Sequence, residues 1–363
     1  METVPVHLSG NSYQIVIGQN CLSDIGKRLA DVNRHAQAAV VTPAPLRHRY
    51  GRLVRQSLSA AGFHPLLFAV PDGERAKSLR MASFLYDRLV NARFERGATL
   101  IALGGGVVGD LTGFVASTYL RGVAVVQVPT TLVAQVDASI GGKTAVNHPK
   151  GKNLIGTFYQ PKLVYIDVAT LRTLPKRELI GGMAEVVKYG IIADPELFGY
   201  VETHVDDVLD CRLDVMEQIV LRSARIKADV VGKDEREGGL RRILNYGHTL
   251  GHAIETATGY RRLHHGEAIA IGMEFAARLA AGLSLCDPSL VDRQRRLLHR
   301  LGLSTGLPPR MNPARLLTAM ALDKKVQGGR LHFVLPERLG RVSVAPVEQA
   351  LVKETLRRFS SDK

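Results

Sequence analysis

The sequence predicts an α/β domain followed by a mostly helical one. Three observations carry that expectation. Short β-rich runs alternate with helical patterns through the first half of the chain. From Glu178 onward long helical patterns take over. The length of 363 residues exceeds one typical domain. Strands alternating with helices imply a mainly parallel sheet covered on both faces, of Rossmann-like type. The boundary falls near Pro175 by this reading, giving residues 1–177 to the α/β domain and 178–363 to the helical one.

In chain order, AAVVT (Ala38 to Thr42) is a buried strand and Leu46 to Ala61 a helix. PLLFAV (Pro65 to Val70) is a second strand, followed by a helix from Ser78 to Asn91. ATLIALGGG (Ala98 to Gly106) is a strand running into glycines. VAVVQVP (Val123 to Pro129) and LVYIDV (Leu163 to Val168) are further β-rich runs. Beyond the boundary, Val215 to Val231 and Ala268 to Gly282 have helical spacing, and only RLHFVLP (Arg330 to Pro336) is strand-like.

Composition narrows the function classes. Hydrophobic residues at 45% and charged residues at 23% are ordinary for a globular chain, which excludes wholesale disorder, collagen and coiled coil. No apolar run is long enough for a transmembrane helix. METVPVHLSG lacks the basic and apolar regions of a secretory signal. Cys21, Cys211 and Cys286 form no CxxC pair, so neither a disulfide framework nor a thiolate zinc site is expected, and a reducing cytoplasm fits. The net charge of +14 is compatible with nucleic acid, an anionic membrane surface or a small polyanionic substrate. The run Arg34, Arg47, Arg49, Arg52 and Arg55 reads most simply as a solvated helix face. No nucleic-acid-binding module and no interleaved aromatics accompany it, so neither nucleic acid nor membrane is the expected partner.

Gly104, Gly106 and Gly109 in LGGGVVGD satisfy GxGxxG after a strand. Glycines there let the backbone approach a pyrophosphate at a helix N-terminus. The usual acid about 20 residues on is missing, because Asp137 is the first acid after Asp110. Asp72 and Glu74 in PDGERAK are alternative ribose contacts. Lys143, Lys150 and Lys152 among glycines, with Asn153, suit phosphate. A buried Asp137 would need a cationic neighbour or hydrogen bonds.

The second half brings metal-type donors together. His248, His252 and Glu255 fall at i, i+4 and i+7, on one helical face. His264, His265 and Glu267 follow, and Glu185 stands one turn from Lys188. Two histidines and one carboxylate suit a catalytic zinc with an open position. HTLGH is not a zincin motif, since Thr249 stands where HExxH needs glutamate. Spacing alone leaves the choice between His264 and His265 open. Lys188, Lys227, Arg241, Lys324 and Lys325 accompany this cluster along the chain, which suits a multiply anionic substrate.

Together these blocks resemble the 3-dehydroquinate synthase family of the sugar-phosphate cyclase superfamily. The resemblance runs from about Asp72 to Leu335 through DGERAK, GGGVVGD, YLRG, PTTLVAQVDASIGGKTAVN, KNLIG, GGMAEVVKYG, DEREGGLRRILNYGHTLGHAIE, HHGEAIAIGM and DKK. It implies an N-terminal NAD-binding α/β domain and a C-terminal helical, metal-binding domain. It implies zinc or cobalt ligands at Glu185, His248 and His265, the HGE block choosing the histidine before Gly266. The implied NAD contacts are Asp72, Gly73, Glu74, Arg75, Ala76, Lys77, Gly106, Val107, Val108, Gly109, Asp110, Thr130, Thr131, Lys143, Lys152, Thr170, Leu171, Arg172 and Thr173. The implied substrate and catalytic residues are Asp137, Lys143, Asn153, Lys188, Lys227, Arg241, Asn245, His248 and His252. Arg121 would reach the phosphate bound by a neighbouring subunit of a homodimer, and one DKK lysine, preferably Lys324, would also meet phosphate.

The implied reaction converts 3-deoxy-D-arabino-heptulosonate 7-phosphate to 3-dehydroquinate and phosphate, the second step of the shikimate pathway. It proceeds by transient oxidation with NAD, phosphate elimination, re-reduction and intramolecular aldol cyclisation. Cyclitol synthases of the superfamily act on substrates without a carboxylate, and so would not need the Lys227, Arg241, Asn245 and His252 set. A related polyol or alcohol dehydrogenase would release NADH stoichiometrically and would not need the phosphate lysines.

Overall fold

The computed structural model describes residues 1–259, 262–309, 311–322, 326–327 and 330–361. The chain forms two compact units. One is Met1–Leu174 with Met216–Arg236, the other Pro175–Val215 with Glu237–Lys363. Against a single cut at residue 177, the first break falls after Leu174 and the segment from Met216 to Arg236 belongs with the first unit. Its helix, Leu213–Lys233, is anchored there by Gln19 donating to Glu217 at 2.6 Å and by Lys227 pairing with Asp137 at 2.6 Å.

The first unit is built on a seven-stranded sheet. Its strands are β1 (Glu2–Val6), β2 (Tyr13–Gly18), β3 (Gln37–Pro43), β4 (His64–Val70), β5 (Thr99–Gly104), β6 (Ala124–Pro129) and, after a separate hairpin, β9 (Leu163–Asp167). The order is β1-β2-β9-β6-β5-β3-β4. All neighbours are parallel except β1 and β2. Every residue of β5, TLIALG, is buried. Such a continuous apolar run belongs to a strand covered on both faces. Alternate residues serve opposite cores: Leu100 and Val41 pack with Leu111 and Val115, while Ile101 and Val40 pack with Ile25, Leu29 and Leu58. Pro5 sits on edge strand β1, where a missing N–H costs no interior ladder bond.

The five strands expected in this half are β3, β4, β5, β6 and β9. The opening strands β1 and β2 were not expected. Nor was the hairpin of β7 (Lys143–His148) and β8 (Gly151–Phe158), which pairs antiparallel from Lys143↔Phe158. It occupies the segment where Lys143, Lys150 and Lys152 stand among glycines. Gly156 lets the two strands close, since a Cβ there would stand 2.3 Å from the Thr144 carbonyl oxygen. The expected helix over 46–61 is regular only over Arg52–Ala60, and that over 78–91 is Leu79–Asn91 with Ser78 Oγ accepting from the Met81 N–H.

The second unit is mostly helical, as expected. It holds helices Lys176–Ile192, Pro195–Thr203, His248–Ala257, His265–Gly282, Pro288–Arg300, Pro313–Leu322 and Gln349–Ser361. The strand-like RLHFVLP lies in β11 (Arg330–Arg338), between β10 (Val326–Gln327) and β12 (Arg341–Val347). The core joins Leu250, Ile254, Ile271, Phe275, Phe333, Leu356 and Phe359. No helix among the described residues is long and apolar enough to cross a membrane.

Candidate active site

In the second unit the metal-type donors converge from three helix segments. Glu185 lies mid-way along Lys176–Ile192, while His248 and His265 each open a helix. Glu185 Oε1 stands 3.5 Å from His248 Nε2 and 3.3 Å from His265 Nε2. Donors about 2.0–2.2 Å from a tetrahedral ion stand about 3.4 Å apart, so this set of two nitrogens and one oxygen fits zinc or cobalt. His264 turns elsewhere, to Glu178 at 2.8 Å. The geometry therefore brings His265 rather than His264 into the cluster.

Glycines set these separations. Gly266 follows His265, and a Cβ on it would lie 1.8 Å from the Gly181 carbonyl oxygen of the Glu185 helix. A Cβ on Gly272 would lie 1.8 Å from the Gly247 carbonyl oxygen, beside His248. Gly247 itself has φ +81° and would clash with Met273 and the Ile269 carbonyl. The three ligand-bearing segments thus meet at backbone contact.

Polar neighbours orient the ligands. His248 Nδ1 lies 3.0 Å from the Tyr246 carbonyl, which holds the Nδ1–H tautomer and aims Nε2 at Glu185. The Tyr246 hydroxyl in turn donates to Gln294 at 2.6 Å. Burial pulls the His248 imidazole well below its usual range despite Glu185, so it is neutral and ready to ligate. Burial pulls His265 the same way, but Glu185 and Glu255 outweigh it and push His265 up to about 10. An ion bound here displaces that proton.

Cations accompany the donors. Lys188 pairs with Glu185, and both side chains are 1% exposed. Arg241 is also 1% exposed, a guanidinium withdrawn from water within the same unit. Asn245 donates to Glu237 at 2.6 Å, and His252 lies edge-on to His248 with ring centroids 5.2 Å apart. Lys324 and Lys325 lie outside the described residues.

In the first unit the nucleotide-type segments gather at the C-terminal ends of parallel strands, where open α/β sheets bind ligands. The turn after β5 leads into helix Gly106–Thr118. Gly109 leaves room for Gln127, whose Oε1 a Cβ would approach to 2.8 Å; Val108 is core, Val107 half-buried. After β6, the Thr130 N–H donates to the Gly104 carbonyl and the Thr131 hydroxyl accepts from the Ala134 N–H. After β9 come Thr170, Leu171, Arg172 and Thr173. Gln135 Nε2 reaches the Pro129 and Asp167 carbonyls and the Thr170 hydroxyl, tying the last two segments together. Leu171 is buried, Arg172 exposed, and the Thr173 hydroxyl bonds Tyr50 at 2.6 Å.

The segment after β4 completes this end. The Gly73 N–H and Arg75 Nε donate to Asp72, and Ala76 is buried. Lys77 reaches Asp110 at 2.5 Å and also bonds Asn153. Burial pushes Asp110 up to about 6 even though Lys77 opposes it. Lys152 lies 3.6 Å from Glu74. Lys143, at the start of the hairpin, is exposed. Asp137 is half-buried, and Lys227 Nζ stands 2.6 Å from its Oδ1. Arg121 is exposed, and Leu120 and Arg121 both have left-handed backbones, φ 49° and 65°.

Two participants were not singled out as site residues from sequence. Asn147 donates to Glu74 and accepts from the Asn153 N–H, joining hairpin and loop. Glu255, read from the sequence among the metal-type donors but not assigned as a ligand, stands 3.4 Å from His265 Nδ1. For Glu255 the i, i+3 spacing from His252 was a usable signal, and Asn147 closes the block PTTLVAQVDASIGGKTAVN.

Comparison with known proteins gives the following. The 3-dehydroquinate synthase N-terminal family model matches residues 67–181, and the C-terminal model residues 182–326. A curated 3-dehydroquinate synthase from Synechocystis sp. is 49% identical, over 98% of this chain and 99% of the relative. A solved 2-deoxy-scyllo-inosose synthase, complexed with carbaglucose-6-phosphate, NAD+ and Co2+, is 26% identical with TM-score 0.89, covering 99% of this chain and 100% of its own. A 2-epi-5-epi-valiolone synthase from Streptomyces hygroscopicus subsp. jinggangensis, with NAD+ and Zn2+ bound, is 28% identical with TM-score 0.89, covering 98% and 99%.

Proposed function

The chain belongs to the 3-dehydroquinate synthase family, and from that premise we propose how its residues divide the conversion of 3-deoxy-D-arabino-heptulosonate 7-phosphate to 3-dehydroquinate and phosphate. The cofactors are NAD and zinc or cobalt, as in the two solved cyclases. When bound, NAD would supply reversible hydride chemistry at the C5 carbinol with no net consumption of cofactor. The divalent ion, which Glu185, His248 and His265 would hold, would supply a Lewis acid that makes the C5 hydroxyl more acidic.

The chain's own groups bind and orient. Asp72 to Lys77, Gly106 to Asp110, Thr130, Thr131, Lys143, Lys152 and Thr170 to Thr173 hold NAD. Lys143, Asn153 and Lys324 hold the substrate phosphate, whose own oxygen takes the C6 proton as phosphate leaves. Arg241, helped by Lys227, clamps the carboxylate through a guanidinium fork. Asp137, Lys188, Asn245 and His252 orient hydroxyls and relay protons as the hemiketal opens and the aldol closes the ring.

The observation that carries this assignment over a cyclitol synthase is Arg241, a buried guanidinium in the unit that holds the metal-type triad. With the phosphate assigned to Lys143, Asn153 and Lys324, a carboxylate-free sugar phosphate has no second anionic group to match this fork. Side-by-side phosphate release tests it. Turnover is expected with the heptulosonate phosphate and not with carboxylate-free sugar phosphates; the reverse preference would move the chain to the cyclitol synthases.

The enzyme acts in the cytoplasm as a homodimer. Exposed Leu120, Leu154 and Phe158 support an interface near the hairpin, and exposed Arg121 is suited to reach the partner's phosphate. Sedimentation at micromolar concentration checks the dimer; a monomer would remove that role from Arg121.

A further inference from the structure

The His265 ring has a carboxylate at each nitrogen. Nε2 lies 3.3 Å from Glu185 Oε1, and Nδ1 lies 3.4 Å from Glu255 Oε2. The Nε2 side belongs to the triad above. On the Nδ1 side a second set converges: His252, Glu255 and His265 offer ligand atoms within 4.8 Å of one another. His252 and Glu255 share a helix face one turn apart. The Glu255–His265 separation is again close to the edge of a tetrahedron around a zinc-sized ion.

We infer that the chain has an outer metal position, made by His252, Glu255 and His265, that competes with the inner one for His265. Two imidazoles and one carboxylate suit zinc or cobalt better than magnesium or calcium. The position is outer because His252 and His265 are half-buried, whereas Glu185 and His248 of the inner set are buried. A neutral imidazole has one lone pair. An ion on Nδ1 leaves the proton on Nε2, where it donates to Glu185, and the inner set then lacks a ligand. The same ion draws His252 away from substrate hydroxyls. A chain loaded at the outer position is therefore an inactive form. The inference rests on the metal reading of the inner triad, but its test does not use turnover.

Metal-free Glu185→Ala protein, with Glu185→Gln as the isosteric alternative, is dialysed against zinc and, for its spectrum, cobalt(II). Circular dichroism checks the fold. The expected result is one equivalent bound, about 10–100-fold more weakly than by the unaltered chain, with cobalt bands distinct from those of the inner site. Adding Glu255→Gln to the same background weakens that binding at least tenfold. A folded Glu185 variant that takes up no ion overturns the outer position, and so does uptake that Glu255→Gln leaves unchanged. Either result leaves Glu255 as the carboxylate that orients His265. Failure of the unaltered enzyme to release phosphate would instead count against the proposed reaction and leave the dialysis result standing.

Discussion

The two units display their chemistry in opposite ways. In the first, most of the candidate polar groups keep solvent access: Asp72, Lys143 and Asn153 are exposed, and Lys152, Asp110 and Asp137 half-buried, while Lys77 and Lys227 are buried. In the second, Glu185, Lys188, Arg241 and His248 are buried and His265 half-buried, and the segments that carry Glu185, His248 and His265 touch through glycine. The proposed partners of nucleotide and phosphate thus ride largely on segments at strand ends, which would let such ligands enter and leave. A metal ion that stays bound is better held by buried donors that cannot drift. Substitutions in the second unit should therefore cost more than equivalent ones in the first.

The largest effect is expected at the triad. Glu185→Gln should lower turnover about a thousandfold or more with zinc saturating, because a Lewis acid contributes several kcal/mol to such steps. Near-normal turnover would show that the triad does not serve the reaction. Next is Arg241→Ala. Losing a bidentate, charge-assisted contact should lower kcat/KM for substrate about a hundredfold. NAD affinity, held by the other unit's residues, should not change, and equal losses for both ligands would remove the carboxylate clamp.

Packing comes third. Gly266→Ala and Gly272→Ala place a Cβ 1.8 Å from a carbonyl oxygen and should cost about 2 kcal/mol or more in thermal unfolding. Gly181→Ala, with nothing within 4 Å of its Cβ, should be neutral or slightly stabilising. Similar melting temperatures for all three would contradict backbone contact at the metal site.

The smallest effect tests the first unit. Burial pushes Asp110 up to about 6 from an ordinary 3.8. A carboxyl raised in the folded state destabilises the fold once ionised, so this contribution is absent below pH 3.8 and develops as pH rises to about 6. Carbon-detected titration of Asp110 should show it, and Lys77→Met should move the midpoint higher. A midpoint near 4 would mean that water reaches the carboxyl.

Much of this was legible in the sequence, for identifiable reasons. Strands β3, β5 and β6 are apolar runs covered on both faces, which leave a plain signal. The metal donors were visible as types and spacing. The choice of His265 needed the family block, and the structure adds His264 turned toward Glu178. The β7–β8 hairpin was missed because much of β8 is exposed and its small residues give no apolar alternation. Helix Leu213–Lys233 was recognised, but its assignment to the first unit was not. An amphipathic helix has the same pattern whichever core it covers. Asn147 joins Glu74 to Asn153 only because the chain folds back, and no local pattern records that.

The most direct test of the account is phosphate release from 3-deoxy-D-arabino-heptulosonate 7-phosphate with catalytic NAD, with and without chelator, while NADH absorbance is followed. The account predicts many phosphates per NAD, no net NADH, and loss of release with chelator. Stoichiometric NADH, or release untouched by metal removal from folded enzyme, would contradict it.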